Sequence, residues 1–273
     1  AQAVDVPLRV AESAGIAREG ELVTSGIPIP IEDRLLKTDN LCVYDDQGRP
    51  VPSQFKVLSR WRGRAQDTFR PVKWLLISFP ADMKLLTERT FRLGVGQTPA
   101  PANPVRVSET TSGVAVDTGP LQFTVSKAAF NLFDSVYLNQ RRLVKSDLGN
   151  GFVIRDHLGK TYRSTGRPPE KVTVEEAGPL RAVIRVEGMH ADASSNFLRY
   201  IVRIHAYAGK PYVRVFYALR NDESYGYKTV AGHRYFKDVH VDLKLDLGSG
   251  LTAAFRDEGF ALGIGESRSL ELD

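Results

Sequence analysis

The chain has 273 residues, 42% hydrophobic and 25% charged, enough apolar side chain to bury a core and to build one or two domains. No apolar run approaches the ~18 residues that a membrane-crossing helix requires. The net charge of +5 is spread, with 14 Lys+Arg against 12 Asp+Glu up to residue 103 and 23 against 20 beyond it. Without a Lys/Arg block the chain lacks the basic arm of a nucleic-acid binder, whereas a mildly basic surface favours acidic polysaccharide.

The opening "AQAVDVPLRV" begins with Ala-Gln-Ala, which looks like the small-residue end of a signal-peptide cleavage site, so the expectation is a mature, exported protein, secreted or cell-surface. Period-2 alternation then dominates. Strands are predicted in "VPLRVAES", "NLCVYDD", "SQFKVLSRW", "VKWLLISF" and "TFRLGV", with helical hints only in "EDRLLK" and "DMKLLTE". The sole cysteine, Cys42, cannot cross-link the chain to itself and is expected to be a small buried hydrophobe. The proline-rich "GQTPAPANP" favours an extended, unpaired segment. It divides the chain into residues 1–97, a small barrel-like β-domain, a linker 98–104, and residues 105–273, a larger antiparallel β-sandwich. The fold class is all-β.

In the second part, strands are predicted in "GVAVDT", "LQFTVS", "KVTVEE", "LRAVIRVEG", "FLRYIVRIHAYA", "YVRVFYAL" and "VHVDLKLDL". Alternation sends Ala182, Ile184, Val186, Tyr200, Val202, Ile204 and Ala206 to the core. The other face of the same strands receives Arg181, Arg185, Arg199, Arg203, Arg214 and Arg220, with His205, Tyr207, Tyr212 and Phe216 among them. Facing arginines repel unless an anion lies between them, and Glu187 alone cannot neutralise six. Three readings stay open: a wet or interdomain face, a face that packs on a partner domain through ion pairs, or a surface that grips carboxylates and stacks sugars.

"YGYKTVAGHRYFKDVHVDL" concentrates Tyr225, Tyr227, Lys228, His233, Arg234, Tyr235, Lys237 and His240. Trp61 and Trp74 flank the basic loop "RWRGRAQDTFRPVKW"; Trp61 is the candidate sugar-stacking ring and Trp74 the core residue. The five histidines are too scattered to suggest a metal, and no cofactor motif stands out.

"VPLRVAESAGIAREGELVTSGIPIP", "DDQGRPVPSQFKVLSRW" and "VKWLLISFPADM" resemble the N-terminal barrel of the exo-rhamnogalacturonan lyase-like (PcRGLX/YetA-like) family. "GPLQFTVSKAAFNLFDSVYLN", "VTVEEAGPLRAVIRVEGMH", "YIVRIHAYAGKPYVRVFYALRN" and "HRYFKDVHVDLKL" resemble its following β-rich domain. The turn "WRGRAQDTFRP" is longer and more basic than that pattern. The resemblance implies β-elimination on a rhamnogalacturonan-like acidic glycan and a following helical toroid domain, whose helices are not expected within these residues. A lyase needs a cation for the uronate carboxylate, a base and an acid. The candidates are His205, His233 and Tyr235 as catalytic groups, with Arg181, Arg185, Arg199, Arg203, Arg214, Arg234, Tyr207 and Trp61 contacting the glycan. The alternative is a non-catalytic carbohydrate-binding or self-assembling surface protein on the same scaffold, its partners the acidic polysaccharide, a separate helical domain or further copies of itself.

Overall fold

The computed structural model describes residues 4–222 and 233–246, and the backbone of 256–257 and 260–261. Ala1–Ala3, Tyr225, Tyr227 and Lys228 lie outside the described residues. The first strands are β1 (Val6–Ala11), β2 (Arg18–Pro28), β3 (Leu41–Tyr44), β4 (Pro50–Val51), β5 (Gln54–Arg60), β6 (Val72–Met83) and β7 (Glu88–Val95). After a coil come β8 (Arg106–Glu109), β9 (Gly113–Asp117), β10 (Leu121–Ser126), β11 (Ser135–Leu138), β12 (Arg141–Val144), β13 (Gly151–Asp156) and β14 (Thr161–Arg163). The long strands follow: β15 (Lys171–Ala177), β16 (Arg181–Ala191), β17 (Asn196–Tyr207), β18 (Val213–Arg220) and β19 (Phe236–Asp242), with two-residue β20 (Arg256–Asp257) and β21 (Phe260–Ala261). Among the described residues every pairing is antiparallel.

The two helical hints are corrected. "EDRLLK" supplies only part of a 3₁₀ turn, Ile31–Asp33, and "DMKLLTE" is the end of β6, a turn and the start of β7. Among the described residues no helix is long and apolar enough to cross a membrane.

One core lies between the sheets β1-β7-β3-β4 and β2-β6-β5. Leu41, Val43, Leu75, Ile77, Phe79, Phe91 and Leu93 fill it, each at most 2% exposed, because alternate residues of facing strands point inward. Cys42 is fully buried, its Sγ donating to the Val43 carbonyl, and burial pushes its thiol pKa up.

The second core lies between a five-stranded sheet, β12-β11-β10-β9-β8, and a seven-stranded one, β18-β17-β16-β14-β13-β19 with β15 on β16. Alternation on β16 and β17 is as expected: Ala182, Ile184, Val186, Tyr200, Val202, Ile204 and Ala206 are all fully buried. Gly188 stands opposite Tyr200 and is spared a Cβ that would strike the Tyr200 ring and hydroxyl.

The arginine-bearing face of the seven-stranded sheet meets the outer face of β2-β6-β5. Gln54 of β5 is the main clasp: its Oε1 accepts from the Leu180 and Arg181 amides at 2.9 Å, and its Nε2 donates to the Arg181 carbonyl at 3.0 Å. Gly178 has no room for a side chain because Gln54 occupies that space. Val183, on the same face as the arginines, is only 4% exposed beneath this contact.

Candidate functional site

Register brings Arg185 directly opposite Arg203 and Arg199 directly opposite Arg220. Such pairs need an anion between them, and the chain supplies its own. Glu175 accepts from Arg203 Nε at 2.6 Å and Nη2 at 3.0 Å and from Arg185 Nη1 at 3.3 Å. The Arg203 and Arg185 guanidinium groups hold its carboxyl below the usual range. Asp222 bridges Arg199 and Arg220, and Glu170 takes a further Arg199 nitrogen. Glu187 pairs with Arg185 at 3.0 Å, Glu176 with Arg181 at 2.7 Å and Glu21 with Arg214 at 3.3 Å.

The expectation that six arginines confront a single carboxylate is therefore corrected. They share a face, and each is matched by an acid. A bulge between Val174 and Glu176 explains part of this: it turns Glu176 to the arginine side beside Val183, where strict alternation would have sent it to the core. Arg181, Arg185, Arg199 and Arg203 are thus held in ion pairs, and Arg181 is further covered by β2 through a 3.4 Å contact with Thr24.

Where the two sets of sheets meet, a cleft of about 320 Å3 remains between Glu21, Leu22 and Thr24 of β2 and Arg181, His205, Tyr207, Tyr212, Arg214 and Phe216. His205 stands opposite Arg214 across β17 and β18, its ring 4.8 Å from that of Phe216. Among the described residues it makes no hydrogen bond. Burial, then Arg181, lowers its pKa to about 4, so the imidazole is neutral at neutral pH. The Arg214 guanidinium lies 5.8 Å from the Tyr207 ring centre, and Tyr207 and Tyr212 are 5.9 Å apart. Burial raises the pKa of both phenols. Glu21, which receives Tyr212 and Arg214, had no sequence signal: it comes from a strand some 190 residues away.

The remaining candidates gather elsewhere. His233, Arg234 and Tyr235 line a shallow depression with Leu198, Leu219 and Asn221; His233 Nδ1 is 3.1 Å from the Tyr235 hydroxyl, and Arg234 lies over the Phe197 ring. Leu198 and His205 are seven residues apart on β17, roughly 23 Å, and on opposite faces. A single site combining His233, Arg234 and Tyr235 with His205 and Arg203 is not what forms.

The expectation that Trp74 is a core residue is corrected, and Trp61 is half-buried. Trp61 Nε1 donates to the Ile29 carbonyl at 3.0 Å and Lys73 covers its ring, whereas Trp74 is 41% exposed on the outer face of β6. The basic loop is gathered by Arg60, which donates to the carbonyls of Ala65, Leu36 and Arg70. Among the described residues no group of three or more His, Cys, Asp or Glu side chains is placed to hold a metal ion.

Residues 105–234 match the family model "PcRGLX-like protein central beta sandwich domain". Over 130 residues, 44% of this chain, the sequence is 23% identical to the uncharacterized protein YetA of Bacillus subtilis (strain 168), and the match spans 15% of YetA. Among solved structures, an α-mannosidase from Enterococcus faecalis V583 superposes with a TM-score of 0.50 at 14% identity, over 76% of this chain and 29% of the other. A glycosyl hydrolase family 38 protein from Enterococcus faecalis gives 0.51 at 13% identity, over 88% and 32%. At that identity the likeness is one of fold, to part of much longer carbohydrate-active proteins.

Proposed function

We propose that this chain, whose residues 105–234 match the PcRGLX-like central β-sandwich model and are similar to YetA, is the β-domain portion of an exported polysaccharide lyase-like protein, taking an acidic glycan into the cleft between β2 and β16–β18. The observation that carries the reading is His205, its ring without a hydrogen bond among the described residues, directly opposite Arg214 in a cleft walled by Tyr207 and Tyr212.

β-Elimination needs three things at one sugar: a cation on the uronate carboxylate, a base for the proton α to it, and an acid for the departing oxygen. Arg214, with 59% of its side chain exposed, is the guanidinium able to exchange Glu21 for a substrate carboxylate. His205, neutral down to about pH 4, can accept the proton. A Tyr207 or Tyr212 hydroxyl, kept protonated by its raised pKa, can donate one. Arg181 stays with Glu176 and positions the wall of the cleft.

Arg214→Ala is expected to weaken binding of an acidic oligosaccharide roughly tenfold, as for loss of one charge-assisted hydrogen bond. His205→Ala is expected to retain binding and to abolish the ultraviolet absorbance of unsaturated uronate that accumulates with rhamnogalacturonan. The pairing of every arginine on this face favours a second reading, a non-catalytic carbohydrate-binding module. A parent chain that binds the glycan and releases no unsaturated product would select that second reading, and one that neither binds nor cleaves would remove both.

A further inference from the structure

The five-stranded sheet turns its outer face away from the cleft, on the far side of the sandwich. Its register aligns one side chain per strand into a row: Arg106 beside Asp117, then Gln122, Tyr137 and Arg142. Their sequence neighbours Val107, Val116 and Phe123 belong to or pack on the core, so the row points outward. At the spacing of adjacent strands it runs roughly 19 Å. A groove of about 330 Å3 follows it from β8 to β11, floored by the small side chains of Ala115 and Thr124.

Charge distinguishes this face from the one that bears the paired arginines. Arg142 is exposed and has no ion-pair partner among the described residues, and Arg106, 72% exposed, approaches Asp117 only to 3.9 Å. The row therefore ends in an available guanidinium at either side, with one carboxylate, one amide and one aromatic ring between them.

We propose that this row binds an acidic oligosaccharide lying across the strands. Arg106 and Arg142 pair with uronate carboxylates, Tyr137 offers its ring to a sugar face, and Asp117 and Gln122 take hydroxyls. A neutral glycan would leave Arg142 without a charged partner and Arg106 with only the distant Asp117 carboxylate, so the row discriminates for charge. The ligand class is that of the cleft reading, but no residue is shared, and the two fail separately.

The test is calorimetric titration of the whole chain with a short oligogalacturonate, and with an uncharged galacto-oligosaccharide as control. Tyr137→Ala with Arg142→Ala is expected to remove one class of sites, weakening it at least tenfold. The melting temperature should be unchanged because both side chains lie on an outward sheet face. Arg142→Glu alone should do the same by charge reversal, whereas Arg214→Ala should leave this class intact. Unchanged titration in both row variants would overturn the proposal, as would a parent chain with no affinity for oligogalacturonate. Sedimentation showing a dimer that the row variants dissociate would also overturn it, assigning the row to self-association.

Discussion

Glu176→Ala is expected to cost about 3–5 kcal/mol of folding stability, read as the shift of the urea unfolding midpoint. Arg181 and Glu176 have side-chain exposures of 9% and 7%, and their bond is two-pronged, Nε to Oε1 at 3.0 Å and Nη2 to Oε2 at 2.7 Å. Without the carboxylate a buried guanidinium keeps only the Thr24 hydroxyl at 3.4 Å. Gln54, which donates to Glu176 Oε1 at 2.5 Å, loses an acceptor in the same step, so the clasp between the two sets of sheets loosens. The damage belongs to the stranded cation, so Glu176→Ala combined with Arg181→Met should recover most of it. A single variant within about 1 kcal/mol of the parent would contradict the account. Glu175→Ala should be milder, because Arg203 and Arg185 are partly open to water.

That ion pair also marks where sequence reasoning stopped. Period-2 alternation sorted β16 and β17 residue by residue, since a strand buried on one face obliges every second side chain to be apolar. It also brought the arginines to one side. What it could not see was the supply of anions. Glu176 arrives through a bulge, which leaves no mark on the period, and Glu21 arrives from the first set of sheets.

Trp74 was misplaced for a related reason. β6 is covered on both faces at Ser78, 2% exposed, so the strand reads as apolar throughout and hides that its Trp74 end emerges. Strand β2, "REGELVTSGIP", carries too much glycine, serine and threonine to declare itself, yet it walls the cleft. The row from Arg106 to Arg142 was invisible because its five members come from five strands and exist only as a register. The family resemblance reached the scaffold, and the fold likeness to carbohydrate-active enzymes agrees with it. Neither identifies a catalytic group, which is a matter of side-chain geometry.

The chain should lose stability in mild acid through His190. This residue of β16 is fully buried. Its Nδ1–H donates to the Leu198 carbonyl at 2.8 Å, which leaves Nε2 to accept the Tyr217 hydroxyl at 3.0 Å. Tyr217 in turn stacks on Phe152 at 4.2 Å, so the imidazole pins β18 to the second core. Burial lowers the His190 pKa from 6.5 to about 4. The folded state prefers the neutral ring and the unfolded chain takes up the proton first. The stabilisation is therefore complete above about pH 6.5 and disappears as pH falls through about 4. Over that window the loss is on the order of 3 kcal/mol. His190→Gln should be less stable than the parent at neutral pH, and the gap should close as pH falls to about 4. A gap that stays constant across the window, or a ring that titrates near 6.5 by NMR, would show that burial does not hold His190 neutral.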